Sequence, residues 1–157
     1  MPPAPAPALP VTFRPVRTRV ILVSTGVVML VVLTVVALLL EQLSAGERAS
    51  FVATGALFLA VLVLLARPHV RADTAGITVV NLTRTRRLDW AEIVAVNLRA
   101  GDPWVYLDLT DGTSLPAMGI QPGLAREQAV RDAAALRALA EERGTRHGGT
   151  AGDGGPR

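Results

Sequence analysis

The sequence predicts an α+β chain: a two-helix transmembrane hairpin, then a small antiparallel β domain, sheet or partly closed barrel, capped by a C-terminal helix. Two charge-free apolar runs, Val20–Leu40 and Phe51–Ala66, stand close together. Between Arg67 and Leu115 the periodicity shortens to alternating β segments punctuated by turn residues, and after Pro122 and Gly123 it becomes helical. Hydrophobic residues make up 50% and charged residues 18% of the chain, more apolar than an ordinary soluble domain. That excess sits between Val20 and Ala66, and the remainder suffices for one small domain of about 75 residues. The chain contains no cysteine, which excludes disulfides, thiolate metal sites and cysteine nucleophiles.

Residues 1–19 read as a disordered, proline-rich, basic tail. Met1–Pro10 is almost entirely proline and alanine, a composition that favours extended polyproline-like backbone. Pro7-Ala8-Leu9-Pro10 has PxxP spacing, but so proline-rich a tail produces that by chance, and a spacer is the plainer reading. Arg14, Arg17 and Arg19 then place positive charge directly before the first apolar run.

Val20–Leu40 is long enough, at about 1.5 Å per residue, to cross a hydrocarbon core of about 30 Å. A cleaved signal peptide is the competing reading; the run is too long for one and no small-residue cleavage site follows. Glu41–Ser50 reads as a polar turn. Residues 49–66 form the second span, at the lower end of spanning length, so that it could instead lie partly buried against the first. Gly55 with Ala49, Ala53, Ala56 and Ala60 offers a small-residue surface for another helix, most simply the first helix of the hairpin. Arginines outside both ends of the hairpin, against one arginine and two glutamates in its loop, place both termini in the cytoplasm. The expected location is the plasma membrane, with the lipid bilayer as the first partner.

Residues 67–143 form the folded domain. Strands are expected over Val70–Asp73, Ile77–Asn81, Arg86–Asp89, Ile93–Leu98, Trp104–Leu109 and Ser114–Ala117. Asp89 and Glu92 have capping-box spacing for one helical turn, and Asp111-Gly112 suits a tight hairpin. Ala129, Ala133, Leu136 and Ala140 mark the buried face of a helix reaching Arg143, with Glu127 and Arg131 an i,i+4 pair outside. Gly144 is the expected stop, and 144–157 a disordered Gly-rich tail.

Arg71-Ala72-Asp73, Gly76-Ile77-Thr78-Val79, the basic turn Thr83–Leu88 followed by Trp90-Ala91-Glu92-Ile93, and Asp102–Trp104 with Leu107–Gly112 together resemble the pleckstrin-homology-like (PH-like) domains of actinobacterial membrane proteins. Nearest among these is the mycobacterial low-molecular-weight antigen family. The resemblance implies a bent antiparallel sheet with one end plugged by the C-terminal helix, and no enzymatic activity. It does not carry over lipid-phosphate binding by the first strand-strand loop, because Thr74-Ala75-Gly76 holds no basic residue.

The candidate contact residues are Arg84, Arg86, Arg87, Trp90, Trp104 and Tyr106. The three arginines form a compact cationic turn that could meet an anionic headgroup, at about 1 kcal/mol each near a membrane surface. The plainer reading is a solvated turn with Arg87 paired to Asp89. Ten arginines against ten acids between Arg67 and Arg143 leave the domain neutral, which argues against nucleic acid. Each tryptophan in so small a domain is most simply packing, although Trp104 and Tyr106 on one strand face could anchor a partner.

No catalytic, metal or cofactor site is expected. His69 and His147 lack partners at ligand spacing, Asp108 and Asp111 lack a histidine or nucleophile, and the spans lack ionisable residues. The expected role is a membrane-anchored interaction module that binds a protein partner or self-associates; a lipid sensor using the arginine turn comes second and a membrane enzyme third.

Overall fold

Val11–Phe13 forms a three-residue strand, β1, inside the segment expected to be a tail. The computed structural model describes residues 6–123 and 125–148. The remainder of the two expected tails, 1–5 and 149–157, lies outside the described residues. β1 pairs antiparallel with β2 (His69–Ala72), Phe13 facing Val70 and Val11 facing Ala72. Phe13 is 5% exposed and belongs to the core. The partner strand lies on the far side of both apolar helices, so no local periodicity announces the pairing.

The chain divides into two compact units: residues 16–67, and residues up to Pro15 together with those from Pro68 onward. The first unit holds α1 (Val16–Leu39) and α2 (Ala45–Leu65). Each begins four residues before the expected span, at Val16 instead of Val20 and at Ala45 instead of Ala49. For α2 the cause is a capping box: the Ser44 hydroxyl accepts from the Glu47 N–H at 3.3 Å, and the Glu47 carboxylate accepts from the Ser44 N–H at 2.8 Å. The turn expected at Ser44-Ala45-Gly46 is therefore the helix start. Arg48 closes the hairpin by donating to the carbonyls of Leu43 (3.2 Å) and Leu40 (3.3 Å).

The helices cross closely at two glycines. A Cβ on Gly55 would stand 3.0 Å from the Leu30 Cα, and one on Gly26 would stand 3.2 Å from the Leu59 Cα. Gly55 thus meets the other helix as expected, whereas Ala49, Ala53, Ala56 and Ala60 point outward. Large aliphatics such as Val28 and Leu57 are 60% and 67% exposed. Both helices have the length and apolarity to cross a membrane, and a hairpin apolar on its outside suits lipid better than water.

In the second unit β1, β2, β3 (Gly76–Val80) and β4 (Thr85–Asp89) form a four-stranded antiparallel sheet in that order. A single 3-10 turn, Trp90–Glu92, leads to β5 (Ile93–Asn97). β5, β6 (Val105–Leu109) and β7 (Ser114–Ala117) make a second, three-stranded sheet. The sheets do not close into a barrel. Asn81 joins them, donating to the Pro116 carbonyl (2.8 Å) while its side-chain oxygen accepts from the Met118 N–H (3.1 Å).

α3 runs over Arg126–Gly148, through the expected stop at Gly144. Glycine weakens a helix by about 1 kcal/mol and does not by itself end one. Ala129, Ala133, Leu136 and Ala140 are buried as expected and Leu139 joins them, but Val130 is 51% exposed. Glu127 and Arg131 are not among the ion pairs closer than 4 Å, whereas Arg86–Asp111 and Arg87–Asp73 are.

Gly119 lies where the chain leaves β7 and passes the backbone of β2. A Cβ there would stand 2.5 Å from the Cα and 2.6 Å from the carbonyl carbon of His69. Backbone cannot swing aside as a side chain can. Gly119→Ala is expected to cost about 2–3 kcal/mol, the upper part of the overpacking range, read as a fall in the thermal midpoint of the detergent-solubilised chain; an unchanged midpoint would show that this crossing is loose.

Candidate functional site

The basic turn does not gather its arginines. Arg86 sits opposite Val79 and Arg87 opposite Thr78 on β3, and neighbouring residues of a strand point to opposite faces. Arg86 reaches across to Asp111 in the β6–β7 turn at 3.6 Å, and Arg87 reaches Asp73 in the β2–β3 turn at 3.4 Å rather than the expected Asp89. Only Arg84, exposed in the loop before β4, is left without a carboxylate. Asp73 also accepts from the Ala75 N–H (2.9 Å) and the Gly76 N–H (3.0 Å). The Ala75 bond is the main reason its carboxyl titrates below the ordinary aspartate value, with Arg87 adding to it. Asp111 is held low as well, chiefly by the Thr113 hydroxyl and then its N–H.

Trp90 is 3% exposed and its indole N–H donates to the Asp73 carbonyl at 3.0 Å. The Glu92 carboxylate accepts from the Asp89 N–H at 2.7 Å, which fixes the turn that carries Trp90. This side chain is spent on packing and offers nothing to a ligand. Trp104, half-buried just before β6, keeps its indole N–H enclosed without an acceptor. Tyr106 is half-buried on the outer face of β6, where it lines a small polar recess of about 230 Å³ with Asn97, Asp108 and Ser114. There Asp108 accepts from the Asn97 amide and from the Ser114 hydroxyl (2.9 Å). A carboxylate already satisfied by an amide and a hydroxyl, with no histidine beside it, makes no acid-base pair. Among the described residues no group of three or more His, Asp or Glu side chains is placed to hold a metal.

The surface that sequence reasoning missed is β5. Its register slips between Ile93 and Ala95: Ile93 faces Leu109 and Ala95 faces Asp108. This bulge lets both Ile93 and Val96 turn inward and throws Val94 out, 66% exposed. The simple alternation expected over Ile93–Leu98 therefore fails. β5 is an outer strand of its sheet, and a groove of about 410 Å³ runs between it and α3, bounded by Val94, Arg137, Ala140 and Gly144. Arg137 crosses this groove and donates to the Val96 carbonyl at 3.1 and 2.7 Å. On the other side of Arg137 lies a larger cleft of about 520 Å³ among the β5–β6 loop, the residues after β7 and the start of α3. In the sequence Ile93-Val94-Ala95-Val96 is one continuous apolar run, which does not mark which of its residues turns outward.

Residues 67–139 match the family described as bacterial PH domain. Uncharacterised proteins of Mycobacterium tuberculosis (Rv1417, strain ATCC 25618 / H37Rv) and Mycobacterium bovis (Mb1452) are each 39% identical over 90 residues, covering 54% of this chain and 58% of theirs. The chain thus spans little more than half the length of these relatives. No solved structure matches it. The family match starts after the apolar hairpin and leaves out β1, which the fold adds from the other end of that hairpin. Over residues 67–139 the sheet domain that follows the two apolar helices is thus similar to the bacterial PH domain family.

Proposed function

We propose that this chain is a membrane-anchored PH-like interaction module that binds an extended segment of a protein partner, or of a second copy, along the β5–α3 groove at the cytoplasmic face. The observation that carries this reading is Val94, a large aliphatic side chain 66% exposed on an unpaired strand edge beside a groove. The other edges are blunted. β1 is three residues long and flanked by Pro10 and Pro15, β4 carries two arginines, and β7 has Pro116 in its centre with Asn81 on that carbonyl. Only β5 combines an exposed apolar side chain with a neighbouring groove. Arg137 covers the Val96 carbonyl, so side-chain docking beside Val94 leads and main-chain pairing is secondary.

Pairing of β1 with β2 supports the topology, because both ends of the hairpin return to one sheet and therefore to one compartment. Arg14, with Arg17 and Arg19 in the first turn of α1, before the first apolar run, and Arg67 and Arg71 after the second, favour the cytoplasm. The anionic-lipid reading of the basic turn is weakened by the pairing of Arg86 and Arg87. Nothing in the described site supports catalysis.

A photo-crosslinking amino acid at position 94, in native membranes, is expected to yield discrete adducts identifiable by mass spectrometry. The same probe at Thr78, on the outer face of the other sheet, is expected to yield none. Val94→Arg should weaken capture of the adduct partner at least tenfold with the thermal midpoint unchanged. Equal labelling from both positions would remove the groove from consideration.

A further inference from the structure

The larger cleft gathers positive charge that the rest of the domain neutralises. Arg99, Arg126 and Arg137 line it against a single acid, Asp102. Asp102 is partly committed, one oxygen accepting from the Arg99 backbone N–H at 2.8 Å. Arg137 is held on the Val96 carbonyl. Neither Arg99 nor Arg126 takes part in an ion pair closer than 4 Å among the described residues, whereas Arg86 and Arg87 both do. Leu98, Pro103, Pro122 and Val130 supply apolar wall between these cations. A charged rim around an apolar floor selects a ligand that is anionic at one point and apolar next to it.

The cleft also adjoins the groove. Arg137 lines both, so a segment lying beside Val94 runs past Arg137 toward Leu98 and Arg99. Four residues separate Val94 from Leu98, about 13 Å of extended chain. The geometry points to an acidic peptide as the occupant: an apolar side chain anchored beside Val94, and a carboxylate about four residues away held between Arg99 and Arg126. This rests on the β5–α3 groove as the partner surface and adds which segment it takes. Arginine suits the task because its planar fork can give a carboxylate two parallel hydrogen bonds.

The test is selection from a random twelve-residue peptide display library on the full chain in phosphatidylcholine nanodiscs. Enriched peptides are expected to pair an aliphatic or aromatic residue with Asp or Glu three to five positions away. A synthetic consensus peptide should bind Arg99→Gln/Arg126→Gln at least tenfold more weakly, lose affinity with added salt, and fail to bind Val94→Arg. Both Arg99 and Arg126 are exposed, so the double variant should keep its thermal midpoint. Peptides enriched without an acidic position, or binding untouched by the double variant, would overturn this inference while leaving the groove reading intact. No enrichment over empty nanodiscs would overturn both. Loss of co-purifying phosphatidylglycerol from the double variant, with peptide binding unchanged, would reassign the cleft to a lipid headgroup and also overturn it.

Discussion

Phe13→Ala is expected to destabilise the sheet domain by about 3 kcal/mol, the low end of the range for removing a buried aromatic. For a domain of this size that lowers the thermal midpoint by roughly 12–24 °C. Phe13 stands before both apolar helices, yet it is 5% exposed in the core of a domain whose family match begins at residue 67. Its ring packs on the face of β1 and β2 that carries Val70 and Ala72. Heating the solubilised chain while following tryptophan fluorescence measures the effect, since Trp90 and Trp104 are the only tryptophans and both lie in this domain. A chain starting at Pro68 should be weaker still, because it also loses the β1–β2 ladder. If Phe13→Ala unfolds at the wild-type temperature, β1 is dispensable and the domain is continuous in sequence.

Trp90→Ala is expected to cost about 3–5 kcal/mol, a large part of the 5–15 kcal/mol that holds an ordinary domain together. Two effects add. The indole leaves a cavity among core residues, and the Asp73 carbonyl loses its donor. Trp90→Phe separates them by keeping most of the apolar volume and removing only the N–H, at an expected cost of about 1–2 kcal/mol. Denaturant unfolding of both variants checks the order. Equal losses would place the whole effect in the hydrogen bond. Asp73 anchors the Trp90 indole, the β2–β3 turn and Arg87 together, so damage at Trp90 should loosen that turn as well.

Much of the architecture was legible in short windows of sequence. The apolar runs announced the hairpin, six of the seven strands followed from alternation and turn residues, and Ala129, Ala133, Leu136 and Ala140 marked the buried face of α3. These signals are local because strand and helix periods repeat within a few residues. Ser44-x-x-Glu47 was equally local and would have placed the start of α2 correctly.

The rest depended on partners distant in the chain. Sequence determined that this protein has two apolar helices, a small antiparallel domain and a closing helix, because each of those follows from where consecutive side chains point. Only the tertiary structure decided that β1 crosses back to join the sheet, that Arg86 and Arg87 diverge to Asp111 and Asp73, and that the bulge at β5 turns Val94 outward beside Arg137. Pairing across a hairpin, the reach of a long side chain and a one-residue slip in register are settled by packing between elements, which no single stretch of chain contains.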